Sequence, residues 1–260
     1  MKLQAALGIS LALFCSCAGE PAPLLVSPAP EPSPDRRFWF TRADGEELVI
    51  IGSAARRMNR DEALALALED AARKAAIHDR VTGIIRRREI QQSGFMGFSS
   101  DTEMELISSQ DYGAYLESLN YDPDTDVLER DNAVFVRARF PGIPGRGLAF
   151  TLSSGDPPGW TGAPPLFPGY LVGVGFSTAH RNLSDTVKAS YDSAIFSIVE
   201  GLSSRVSVSQ DDSNTGRASS YAARSSDARA TLTGFYVLEI WIDPQTRAVW
   251  TLAVAQGQAD

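Results

Sequence analysis

The chain has 260 residues, 43% hydrophobic and 22% charged, which excludes wholesale disorder and leaves apolar side chains for a sizeable core. Its formal net charge of −8, from 24 basic and 32 acidic residues, argues against a nucleic-acid partner, which would need a basic face. With two Cys and two His in all, a zinc site of Cys and His ligands is nearly excluded on supply alone, and no metal or cofactor is expected.

Residues 1–16 read as an export signal peptide: Lys2, an apolar stretch from Leu3 to Phe14, then small residues. The stretch is shorter than the about 20 residues that a bilayer span needs. Its end, Leu13-Phe14-Cys15-Ser16-Cys17-Ala18-Gly19, resembles a bacterial lipobox. Cys17 follows the small Ser16, whereas Cys15 follows the bulky Phe14. Cleavage before Cys17 removes the other thiol, and acylation uses the one that remains. Cys17 is therefore expected to carry palmitate-like acyl chains, each buried CH₂ of which contributes about 0.8 kcal/mol to membrane anchoring.

Six of the 15 Pro fall between Pro21 and Pro34, in a stretch too small and acidic to pack a core. Residues 17–37 are accordingly expected to be a Pro-rich tether. Seven more Pro lie between Pro141 and Pro168, which places a Pro/Gly connector over 142–158. Two compact units, 38–141 and 159–260, remain on either side.

The two units match in an ordered series at nearly constant spacing: Trp39 with Trp160, Gly52 with Gly175, Asn59 with Asn182, Ala71 with Ala194. The series continues through Gly113 and Gly234, Tyr115 and Tyr236, Asp122 and Asp243, Pro123 and Pro244, and Thr125 and Thr246. Each unit opens on a short apolar strand, Leu48–Gly52 or Tyr170–Val174. Asn59 and Asn182 follow as helix N-caps, with acids Glu62 and Asp185 three residues on. The helices present Leu64, Leu68, Ala71, Ala72 and Ala75, or Val187, Tyr191, Ala194, Ile198 and Leu202, as their apolar stripe. Val206 and Val208 alternate with Ser207 and Ser209 as a strand would. Polar excursions follow, Ser207–Ser226 in the second unit, whereas the first carries the apolar Gly94-Phe95-Met96-Gly97-Phe98. A hairpin closes each unit, from Gly113–Leu116 or Gly234–Leu238, through an Asp-Pro-x-Thr turn, to Val134–Val136 or Val249–Ala253. The expected fold is α+β: two tandem repeats, each a long helix packed on a small, mostly antiparallel sheet.

Pro158, Gly159, Trp160, Val174, Gly175, Ala194, Gly234 and Asp243 form a pattern that resembles the LPP-twenty family of bacterial outer-membrane lipoproteins. The likeness is best over about Pro157–Ala255, and this chain departs from the family in carrying two units. The resemblance implies a mostly non-enzymatic lipoprotein, related to flagellar outer-membrane ring and disk components, that serves as a surface antigen or assembly part.

The residues themselves offer little chemistry. Gly173-Val174-Gly175-Phe176-Ser177-Thr178 lacks the third Gly of a dinucleotide loop, and Gly175–Ala179 fails the nucleophile-elbow spacing. His78 and His180 do not match each other and read as surface or capping residues. Asp122 and Asp243, before Pro, read as Asx-turn acceptors. Arg86-Arg87-Arg88 reads as a solvated helix end, with anionic lipid headgroups or an acidic patch as the contacts it could make. Phe95, Met96 and Phe98 would form a contact patch or fold back onto the core.

No catalytic residue is assigned and no enzyme is expected. The expected role is a non-catalytic structural, assembly or protein-interaction module of the cell envelope, lipid-anchored at the outer membrane and facing the periplasm. It would contact envelope proteins or itself, with edge strands as one pairing route. The alternative is a periplasmic module that binds a small ligand or glycan between its two units.

Overall fold

The computed structural model describes residues 37–42, 47–92, 98–108, 111–145, 148–207 and 221–259. The first half begins with strands β1 (Arg37–Arg42) and β2 (Glu47–Ala55), helix α1 (Arg60–Asp79), and strands β3 (Val81–Gln92) and β4 (Phe98–Ser108). Helix α2 (Gly113–Ser118) and strands β5 (Val127–Arg130), β6 (Ala133–Pro144) and β7 (Phe150–Ser154) complete it. After a 3₁₀ turn at Gly159–Thr161 come β8 (Leu171–Ser177), α3 (Leu183–Ser207), β9 (Tyr221–Ile242) and β10 (Val249–Ala259).

Two tandem helix-on-sheet repeats are not what these elements build. The molecule is sheet-rich, and its larger sheet is mixed and shared by both halves. A three-stranded sheet runs β2-β6-β5. A seven-stranded sheet runs β1-β7-β9-β10-β8, with β3 also on β9 and β4 on β3. The long β9 makes this possible. Its Tyr221–Leu232 stretch pairs antiparallel with β3, and Glu239–Ile242 pairs parallel with β7, while β10 lies along its other edge. Four strands of the first half therefore belong to the sheet of the second.

The physical reason lies in what β3 must bury. Val81 and Ile85 join Tyr191, Ile195, Val199 and Leu232 in one apolar cluster beneath α3, and Gly83 lets Val199 seat directly on the strand. Likewise the stretch read as a connector holds β7, whose Phe150 and Leu152 are core residues.

Locally, the halves keep a shared device. A Cβ on Gly52 would overlap the Ala67 carbonyl oxygen and crowd Ala71, and one on Gly175 would overlap the Ser190 carbonyl oxygen and crowd Ala194. Each glycine thus lets a helix lie against its strand at backbone contact. On α1 the row facing the sheet is Ala63, Ala67, Ala71 and Ala75, with Leu64 and Leu68 half-buried beside it. Small side chains are what that close approach permits. Asn59 caps α1 by accepting from Asp61 N at 2.9 Å.

Other matches dissolve. Trp39 lies in β1, whereas Trp160 lies in the 3₁₀ turn. Gly113 and Tyr115 belong to α2, not to a hairpin arm, whereas Gly234 and Tyr236 lie in β9. The first half's hairpin instead joins β5 to β6 through Asp131 and Asn132, both at positive φ. Val206 lies within α3, and residues 221–226 are strand, not loop.

Candidate functional site

Chemistry-bearing side chains gather where α1 and α3 meet the outer edge of β2, the strand at one end of the small sheet. Asp70 and Lys74 stand one turn apart on α1 with 2.7 Å between Nζ and Oδ2. The same carboxylate accepts from Ser53 N at 2.8 Å and Ser53 Oγ at 3.3 Å, and Lys74 Nζ donates to the Ile51 carbonyl at 3.0 Å. In an antiparallel pair, alternate residues direct both backbone groups away from the partner strand. Residues 51 and 53 of β2 are such positions, so the carboxylate and the ammonium take the bonds that another strand would take. An edge that could template aggregation is closed by an ion pair.

Tyr191 of α3 covers this pair, its ring centroid 5.2 Å from Lys74 Nζ. Burial drives the Tyr191 phenol well above its ordinary pKa. It also raises Asp192, against the opposing pull of Lys188 and Lys74 and with a smaller push from Asp70. Beside them, Val49, Ile51, Lys74, Phe235 and Tyr236 line a void of about 20 Å³. That holds a single water and does not admit a sugar ring.

The edge of β8 is treated similarly. Phe176 N donates to Ser193 Oγ at 3.3 Å, Phe176 following Gly175 as Ser53 follows Gly52. On the opposite face, the Phe176 ring meets Trp250 with centroids 4.6 Å apart.

The strand β4 differs. Among the described residues β3 is its only strand partner, and with 11 residues it is the longest edge strand. Residues 102–105, 107 and 108 are exposed, with Met104 and Ile107 at 54% and 42% of full accessibility. Arg86 of β3 lies opposite Glu103 and approaches both Glu103 and Glu105, at 3.6 and 3.3 Å. Met104 and Leu106 alternate with these acids, and Leu106 packs against the cluster beneath α3. We take this open edge as the candidate site.

The residues singled out in the sequence fall elsewhere. Cys17, the signal and all but the last residue of the tether lie outside the described residues, as do Phe95 and Met96. Arg86, Arg87 and Arg88 are within β3, not at a helix end. His78 is buried, with Nδ1 2.9 Å from the Phe235 carbonyl and its ring edge-on to Tyr236. His180 is exposed, its backbone N donating to Thr186 Oγ1. Ser177 Oγ donates to the Thr178 carbonyl, and Gly173 and Gly175 sit in a strand under α3, not in a phosphate-cradling loop.

Asp122 and Asp243 make the same turn. Asp122 accepts from Asp124 N and Thr125 Oγ1, and Asp243 from Gln245 N and Thr246 Oγ1. These bonds hold both carboxyls below the ordinary Asp range, led by the Asp124 amide in one and the Thr246 hydroxyl in the other. Only the second turn reverses a hairpin. The first interrupts the strand along β6 and is anchored by buried Asp126, which accepts from Asp122 N and pairs with Arg137 and Arg139.

Sequence reasoning misses both edge features. Asp70 and Lys74 have the spacing of an ordinary helix-surface pair. The alternation in Glu103-Met104-Glu105-Leu106 is the available sign of a strand. Comparison with family models, with curated proteins and with solved structures returns no match for this chain.

Proposed function

We propose that this chain is a lipid-anchored protein of the cell envelope, tethered through Cys17 and working by protein contact without catalysis. The open edge of β4 is the observation that carries the reading. An exposed strand with large apolar side chains is a template for strand addition, and the fold bonds outward groups of β2 and β8 to helices while no described residue pairs with the outer edge of β4. The lipobox-like end of the export signal supports the anchor. In this reading the chain is an LPP-twenty-like lipoprotein of the outer membrane whose body faces the periplasm.

Fractionation tests the anchor. Cys17→Ala should leave the chain unprocessed or free of membranes, and normal processing with unchanged membrane retention refutes it. Photo-crosslinking in intact cells tests the contact. A reactive residue at Met104 should yield a discrete adduct, whereas one at Glu62, on the exposed start of α1, should not. Absence of any adduct at Met104 refutes the contact.

A further inference from the structure

We infer that β4 accepts along its free edge an extended segment of another protein in which Arg or Lys alternates with apolar residues. This rests on the interaction reading above and names the chemistry of the partner.

The argument starts from the strand already seated on the other side of β4. In the β3–β4 register Ile85 stands opposite Met104, Arg86 opposite Glu103 and Ile84 opposite Glu105. Arg86 reaches both carboxylates, yet the Glu103 and Glu105 side chains remain 70% and 47% exposed. A strand added on the free side meets the same two acids on one face. On the other face it meets the exposed Met104 and also Leu106, the latter packed against the apolar cluster beneath α3. Basic and apolar residues in alternation satisfy both faces at once.

A second copy of the chain fits less well. An antiparallel β4–β4 pair with Met104 facing Met104 sets Glu103 opposite Glu105 twice, and a parallel in-register pair sets each acid beside its twin. Like charges directly across a ladder are destabilising. The edges of β2 and β8 are less open, because α1 already bonds Ser53 N and the Ile51 carbonyl and α3 bonds Phe176 N.

The test uses the full chain in detergent micelles and two capped octapeptides, (Arg-Val)₄ and (Glu-Val)₄, with hydrogen exchange reporting where they land. The Arg-Val peptide should bind and protect the amides of residues 102–108, and the Glu-Val peptide should not. Glu103→Gln with Glu105→Gln should weaken binding about fivefold or more without altering the melting curve by more than a few degrees. Glu103→Arg with Glu105→Arg should transfer the preference to the Glu-Val peptide. Equal binding of both peptides, protection away from β4, no binding by either, or self-association through β4 without peptide each overturns the inference. An adduct at Met104 in cells without Arg-Val binding refutes only this partner chemistry. Arg-Val binding without an adduct refutes the cellular contact alone.

Discussion

The close packing at Gly175 makes a sharp prediction when set beside Gly201, because one chemical change has opposite consequences. In Gly175→Ala the new methyl would overlap the Ser190 carbonyl oxygen and approach Ala194 Cα at 3.0 Å. Both obstacles are backbone of α3, so no side chain can swing aside and the helix itself must lift from β8. Overpacking costs about 1–3 kcal/mol, and a rigid obstacle places this case near about 3. For a chain of this size about 2–4 °C of melting temperature accompanies each kcal/mol, so Tm should fall by about 6–12 °C. Gly201 is exposed on the same helix, and a methyl added there would have nothing within 4 Å. Gly201→Ala removes a helix-propensity cost of about 0.8–1 kcal/mol and should raise Tm by about 2–4 °C. Circular-dichroism melts and urea midpoints of both variants check this. A Gly175→Ala protein within about 1 kcal/mol of the parent, or two shifts of the same sign, would refute the reasoning.

Lys74→Ala strips the ammonium from a nearly closed site and leaves Asp70 and the Ile51 carbonyl without it. A loss of about 3–5 kcal/mol in urea denaturation is expected, and under about 1 kcal/mol would mean the ion pair does not hold the edge. Asp192 has a folded-state pKa above its unfolded one, so its contribution favours the fold below about pH 4 and is lost as pH rises through the folded value. Asp192→Asn should therefore melt higher than the parent at about pH 7, with the gap closing in acid. A gap independent of pH contradicts the burial argument. Asp122 and Asp243 have the reverse sign, their stabilisation present above the ordinary Asp value and lost as pH falls through the depressed one. Carbon-13 titration should find both carboxyls below about 3.9, and an ordinary value at either would discount the turn bonds.

What the sequence makes legible is local. The apolar strand through Gly52, the cap at Asn59 and the turns at Asp122 and Asp243 each depend on a few neighbouring residues, and their signals survive without the rest of the chain, although the strand runs on to Ala55. The pairing of Val81 with Leu232 depends on nothing near either residue. Periodicity marks a strand but does not say which strand it will join, so nothing in the sequence carries β3 out of its own half. Matching Gly113 to Gly234 imposes an extended arm where Ala114, Tyr115 and Leu116 form a helical turn. The ion pair on β2 is hidden for another reason. Asp70 and Lys74 look solvated in one dimension, and only the register of β2 against α1 turns them inward.

The reach of β9 bears on how the molecule comes into being. Its two ends clasp strands that are synthesised long before it, so those pairings close very large loops and belong to the slow, non-local class of folding events. Until Tyr221 and its successors arrive, β3 lacks the strand that seats Val81 and Ile85 beneath α3. A translation product halted ahead of that point would be a sticky fragment, and cutting the gene at Gly155 would yield two incomplete pieces rather than a pair of smaller proteins.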